Sequence, residues 1–233
     1  SHKASVTIFL RLGLLLTILV SATYMILFYT DVNLYYIPVA AVAILTMLLF
    51  NDLTLAFVMS LAGSASAALV LGGEMGLMLV FFFGSLIGAY TVRDARTRGK
   101  LINAGIFAGL VQMISMALLN PDPVRVIARP FFLGALLPLG LNGILSAFIA
   151  HATLKIFEIW FGVMTNYSLL ELSDFNQPLL KRMILEAPGT YHHSLIVSNL
   201  AESAADAIGA NALLTRVGAY YHDIGKLKRP YFF

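Results

Sequence analysis

Long apolar runs fill the first 150 or so residues, and they constrain the fold more than any other feature of the sequence. A membrane-spanning helix needs about 20 consecutive, mainly apolar residues. Short polar groups separate the runs, among them Asn51-Asp52 and Gly72-Gly73-Glu74. The pattern predicts an all-α, polytopic membrane helix bundle of about six spans. We place the spans at Thr7–Tyr29, Tyr35–Phe50, Leu53–Leu71, Met75–Val92, Leu101–Leu119 and Pro130–Ile149.

Charged residues are too few to cover a surface that faces water on all sides. They make up 12% of the chain, whereas hydrophobic residues reach 59%, and a soluble domain carries about 25% charged residues. The lipid bilayer is therefore the first expected partner. The net charge of +3 does not predict binding to a nucleic acid polymer, because the basic excess lies at the edges of the predicted spans. Cysteine is absent, which excludes disulfides and Cys-ligated metal sites.

Basic residues in the short loops predict the orientation of the bundle. Arg93, Arg96, Arg98 and Lys100 form the strongest basic cluster, and such clusters favour the cytoplasmic side. Counting spans from this loop places the residues after the sixth span in the cytoplasm. Almost no charge lies within the spans, which argues against the alternative of a transporter.

A more polar composition after residue 164 indicates a second, soluble part. Thr165–Asn176 has the composition of a linker, and Pro178 is suited to open a short helix. Pro188-Gly189-Thr190 is predicted to break the chain before two further helices, at about Tyr191–Ile208 and Ala212–His222. We expect a membrane part at 1–164, a helical connector at 165–187 and a soluble helical part at 188–233.

Histidine and aspartate residues carry the chemistry of the soluble part. His193, Val197 and Leu200 recur at helical spacing, so we expect them to share an inward face. His222 and Asp223 fall at the end of the next helix. Imidazole and carboxylate together are typical of a hydrolytic divalent metal site. We therefore predict His193, His222 and Asp223 as metal ligands, with Asp223 placed to bridge two ions.

Lys226 follows the His-Asp pair closely and is the second candidate catalytic residue beside Asp223. Its ammonium could neutralise a substrate phosphate as a flexible point charge. The alternative is a solvated basic face shared with Lys228 and Arg229.

The predicted ligands lie in two motifs, Glu186-Ala187-Pro188-Gly189-Thr190-Tyr191-His192-His193-Ser194 and Gly218-Ala219-Tyr220-Tyr221-His222-Asp223-Ile224-Gly225-Lys226. Both motifs resemble those of the bacterial seven-transmembrane receptors with an intracellular HD hydrolase domain. Supporting similarity covers Leu169–Asp174 and Lys228-Arg229-Pro230, and the earlier spans agree in number and order.

The resemblance implies a bacterial inner-membrane phosphodiesterase with an α-helical, cytoplasmic HD domain. It implies two divalent metal ions, manganese or iron, and a cyclic dinucleotide substrate, cyclic di-AMP, that is hydrolysed to linear pApA under the control of a membrane sensor. A homo-oligomer is a further possible partner, and the sequence does not decide the oligomeric state.

The chain departs from the family at both ends. The family has a further anchor and an extracellular domain before the first span, and its HD domain continues past Phe233 with more ligands. We therefore expect 188–233 to be an incomplete HD domain, and the 233-residue chain to be inactive or nearly so. The alternative function is a non-catalytic membrane receptor whose HD part only binds a nucleotide or a partner.

Overall fold

Every regular element is a helix among the residues that the computed structural model describes, namely 2–30, 32–95, 97–120 and 129–229. This confirms the all-α fold class. The chain divides into two compact units, Ser1–Val163 and Met164–Phe233. Arg96, one of the basic residues used to predict the orientation, lies outside the described residues.

Among the described residues, the first unit contains six apolar helices. The third and fourth match their predicted runs to within one residue, whereas the second begins at Ala40 rather than Tyr35 and the sixth continues to Phe161 rather than ending at Ile149. A short 3-10 turn at Leu34–Tyr36 precedes the second helix, and a π-helical turn at Phe132–Leu136 lies within the sixth. The helices are α1 (His2–Tyr29), α2 (Ala40–Phe50), α3 (Leu53–Val70), α4 (Met75–Thr91), α5 (Arg98–Leu119) and α6 (Arg129–Phe161).

The expected count of about six spans is not confirmed, because only four of these helices, α1, α3, α5 and α6, are long and apolar enough to cross a membrane. At a rise of about 1.5 Å per residue, the 11 residues of α2 cover only ~16 Å and the 17 residues of α4 ~26 Å. The hydrocarbon core of a bilayer is about 30 Å thick. Pro38 and the 3-10 turn shorten the second run, and α4 starts only after Gly72 and Gly73, which have φ angles of 101° and 82°.

Glycine contacts bring α5 and α6 close together in the first unit. A Cβ atom added at Gly143 would lie 2.2 Å from the backbone nitrogen of Gly109, so only glycine fits there. Asn142 of α6 donates hydrogen bonds of 2.7 Å to the carbonyls of Tyr35 and Ile37, which fixes the turn before α2. The buried helix α2 is apolar on all sides, as a central helix requires.

Up to Arg229, the last residue described, the second unit is built from four helices and a final 3-10 turn at Ile224–Lys228. Two small clusters form its core. One contains Leu180, Met183 and Tyr220, and the other Leu169, Leu213 and Val217. The helices are α7 (Asn166–Leu172), α8 (Pro178–Glu186), α9 (Pro188–Ala207) and α10 (Ala212–Tyr221).

The connector expected to be helical contains α7, whose N-cap residue Thr165 accepts a hydrogen bond from the backbone nitrogen of Ser168. One expectation for this unit is wrong. The expected break at Pro188 is instead the first turn of α9. Proline fits that position because its fixed φ suits a helix and its missing N–H has no helical partner there. The end of α9 follows the prediction, since Gly209 adopts a φ of 69° just beyond it.

Candidate metal centre

Helix α9 and the end of α10 bring the three predicted ligands together. His193 lies in the second turn of α9, His222 caps α10, and Asp223 precedes the final 3-10 turn. One ligand atom of each residue lies within 4.8 Å of the others, and the two imidazole rings have centroids 5.6 Å apart. Metal–nitrogen bonds of about 2.1 Å keep two donors within roughly 4 Å of each other. Small side-chain rotations would therefore close this group on an ion.

The expectation that His193 lies on the buried face of α9 is wrong. The buried residues of this helix include Thr190, Ser194 and Ser198, whereas His193 is exposed and Leu200 is 69% exposed. Small hydroxyl side chains allow α10 to approach α9 closely, so the packing face does not follow the apolar residues. His193 borders that face and points to the same region as His222.

His222 is held in the tautomer that leaves one ring nitrogen for a metal. Its Nδ1 lies 2.7 Å from the carbonyl oxygen of Ala219. A carbonyl only accepts hydrogen bonds, so Nδ1 carries the proton and Nε2 keeps its lone pair. Metal-bound histidines usually donate their second N–H in this way. The Nε2 atom lies 3.4 Å from Oδ2 of Asp223, on the side of the group where an ion would bind.

Lys226 belongs to the site by geometry. Its Nζ donates a 2.6 Å hydrogen bond to Oδ2 of Asp223, and its side chain is only 32% exposed. Lys228 and Arg229 are exposed, so the alternative of one shared solvated face does not describe Lys226. This hydrogen bond is the main cause that lowers the pKa of Asp223, and the positive charge of Lys226 acts in the same direction. Asp223 is thus kept in the ionised form that binds metals.

Two contacts that the sequence did not reveal fix the helices that carry these ligands. The hydroxyl of Tyr221, next to His222, donates a 2.8 Å hydrogen bond to the carbonyl of Leu172 in α7. Arg216 of α10 pairs with Glu202 of α9 at 3.1 Å. These partners are 49 and 14 residues apart in the chain, so no local spacing pattern could have identified them.

The donor set fits a divalent transition metal. Two imidazoles and a carboxylate combine the ligands that iron, manganese and zinc accept in proteins, and three protein donors leave coordination positions for water or substrate. Hydrolytic metal centres require such open positions.

Comparison with known proteins gives matches to both units. Residues 2–165 match the family model described as "7TM receptor with intracellular HD hydrolase", and residues 190–233 match the HD domain model. No solved structure matches the chain.

Three curated relatives align with the chain. The cyclic-di-AMP phosphodiesterase PgpH of Bacillus subtilis is 35% identical over 85% of this chain and 29% of its own length. PgpH of Listeria monocytogenes is 39% identical over 68% of this chain and 22% of its own length. An uncharacterised protein of Synechocystis is 35% identical over 63% of this chain and 18% of its own length. The chain thus spans less than a third of the length of these relatives.

Proposed function

The chain belongs to the family of 7TM receptors with an intracellular HD hydrolase, and from that premise we propose that it is part of a membrane-bound, metal-dependent cyclic di-AMP phosphodiesterase. The observation that carries the proposal is the group formed by His193, His222 and Asp223, whose ligand atoms lie within 4.8 Å of one another. The Bacillus and Listeria relatives are cyclic-di-AMP phosphodiesterases, which supports this substrate. Hydrolysis of one of its two phosphodiester bonds would give linear pApA.

In this proposal each residue of the site has a separate task. His193 and His222 would each offer a ring nitrogen, and Asp223 would be the bridging carboxylate, to hold two divalent ions, manganese or iron. Bound divalent ions lower the pKa of a coordinated water and offset the charge that develops on the phosphate. In the metal-free site, Lys226 donates a hydrogen bond to Oδ2 of Asp223. With Asp223 serving as a ligand, the Lys226 ammonium would pair with a phosphate oxygen of the substrate instead.

The arrangement in the cell is also part of the proposal. Residues 1–164 form the membrane part, 165–187 the connector, and 188–233 the first part of the HD domain. Arg93 and Lys100 flank the turn between α4 and α5 and support a cytoplasmic position for that turn. The HD part then lies on the cytoplasmic side of the bacterial inner membrane, where cyclic dinucleotides signal, and the membrane part acts as the sensor.

The proposal is tested with a protein extended to the length of the curated relatives and loaded with manganese. We expect it to cleave cyclic di-AMP, but neither cyclic di-GMP nor a nucleoside triphosphate. Asp223→Ala should abolish cleavage, whereas His192→Ala, which changes the exposed neighbour of His193, should retain it. Metal binding without cleavage of any nucleotide would contradict the enzyme and favour the non-catalytic receptor.

A further inference from the structure

A groove on the outer surface of the membrane unit lies between α5 and α6. Its volume is about 250 Å³, and its walls are apolar except at one end. Ile102 is 65% exposed and Phe148 is 67% exposed, so the helices of the unit leave the groove uncovered. The lining residues are Leu101, Ile102, Ile144, Ala147, Phe148 and His151.

The polar end of the groove lies where both helices change from apolar to charged sequence. On α5, Lys100 directly precedes the first lining residue. On α6, no titratable residue occurs between Arg129 and His151, and Lys155 follows one turn later. The segment from Arg129 to Ala150 covers about 33 Å of helix, which already suffices for a hydrocarbon core of about 30 Å. His151 therefore marks the boundary between hydrocarbon and head groups.

An apolar groove with a basic end at this boundary suits an amphiphile with an acidic head. The ring N–H of His151 can donate a hydrogen bond to a phosphate oxygen. Lys100 adds a positive charge, and its ammonium, which donates one hydrogen bond to the carbonyl of Arg93 at 3.1 Å, has two further protons. The positive end of α5, a helix of 22 residues, points to the same level.

We propose that this groove binds one anionic glycerophospholipid of the surrounding bilayer. An acyl chain lies along Ile102, Ile144 and Phe148, and the phosphate lies at His151 and Lys100. The lipid would then bridge α5 and α6 at the end that leads into the second unit of the chain. The proposal stands on the membrane unit alone and does not depend on the phosphodiesterase activity.

A second groove, between α3 and α4, provides an internal control. It is larger, at about 570 Å³, and equally apolar. None of the described residues that line it is basic. Arg93, one turn after its lining residue Tyr90, pairs with Asp94 at 3.6 Å, and the acidic Asp52 directly precedes its lining residue Leu53. If apolar volume alone decided which groove holds a lipid, this second groove would bind better. If the basic end decides, an anionic lipid prefers the groove at His151.

The test is native mass spectrometry of the purified chain, equilibrated with phosphatidylglycerol and phosphatidylcholine in equal amounts. We expect one tightly retained phosphatidylglycerol per chain. Ile102→Trp fills the groove and should weaken retention by excluding the acyl chain. His151→Leu removes the head-group contact and should weaken retention about tenfold, as expected for one hydrogen bond to a charged group. Leu53→Trp, in the control groove, should retain the lipid as the unchanged protein does.

Two results would overturn the proposal. One is equal retention of both lipids by the unchanged protein. The other is a loss of phosphatidylglycerol retention in Leu53→Trp as large as the loss in Ile102→Trp. Melting temperatures in detergent verify that each variant is folded, and Phe148→Trp replaces Ile102→Trp as the groove-filling variant if the latter is unstable, because Phe148 is equally exposed.

Discussion

Replacement of Lys226 by methionine is expected to tighten metal binding. In the metal-free site the Lys226 ammonium donates a 2.6 Å hydrogen bond to Oδ2 of Asp223, and the side chains are 32% and 21% exposed. A hydrogen bond between charged groups contributes about 1.5–3 kcal/mol, and the partial exposure of both groups favours the low end of that range. Since Asp223 must give up this bond to bind an ion, its removal should lower the dissociation constant about tenfold.

The assay is a titration of the purified chain with Mn²⁺, followed by the electron paramagnetic resonance signal of the free ion. Lys228→Met is the matched control, because it removes the same charge two residues away from an exposed position. Equal or weaker binding in Lys226→Met, or an equal gain in Lys228→Met, would refute the competition between Lys226 and the metal for Asp223. In the extended protein, Lys226→Met should bind metal more tightly yet turn over more slowly, since the phosphate loses its cation.

Two further predictions concern packing. Gly143→Ala places a Cβ 2.2 Å from the backbone nitrogen of Gly109 and should destabilise the membrane unit by about 1–3 kcal/mol. The control Gly13→Ala, at a helical site with nothing within 4 Å, should be neutral or stabilise by up to about 1 kcal/mol. Thermal unfolding in detergent measures both, and equal effects would contradict a role for the close contact between α5 and α6. Leu213→Ala, at a site 1% exposed, should lower the free energy of unfolding by about 2–5 kcal/mol. Leu214→Ala, at a site 50% exposed, should lower it far less. Urea unfolding, followed by hydrogen exchange in α10, measures both changes, and similar losses of stability would contradict the assigned core.

The helices of the membrane unit could be predicted well because their sequence is nearly uniform. A run of apolar residues can only satisfy its backbone as a helix in lipid, so the ends of the runs set the ends of the helices. The predicted and observed ends of α3 differ by one residue, Leu71 against Val70. The number of helices long enough to span was not predicted in the same way. The turn at Pro38 shortens the second run, and α4 begins at Met75 as predicted but has only 17 residues.

The second unit shows which parts of a site can be predicted from local sequence patterns. The sequence indicated His193, His222 and Asp223 through their chemistry, and the structure brings their ligand atoms together. The buried face of α9 was missed because it consists of small polar residues, including Ser194 and Ser198, rather than the apolar residues that a hydrophobic period detects. The contacts of Tyr221 with Leu172 and of Arg216 with Glu202 depend on how the helices pack, so no pattern in the local sequence predicts them.

The central claim, that His193 and His222 bind a metal, is tested most directly by pulsed electron paramagnetic resonance of Mn²⁺ bound to the chain. The measurement detects couplings to nitrogen nuclei in the coordination sphere. We predict nitrogen couplings from two imidazoles in the unchanged chain, from one in His193→Gln, and from two in His192→Gln. Bound Mn²⁺ without nitrogen coupling, or a coupling lost in His192→Gln and kept in His193→Gln, would contradict the claim.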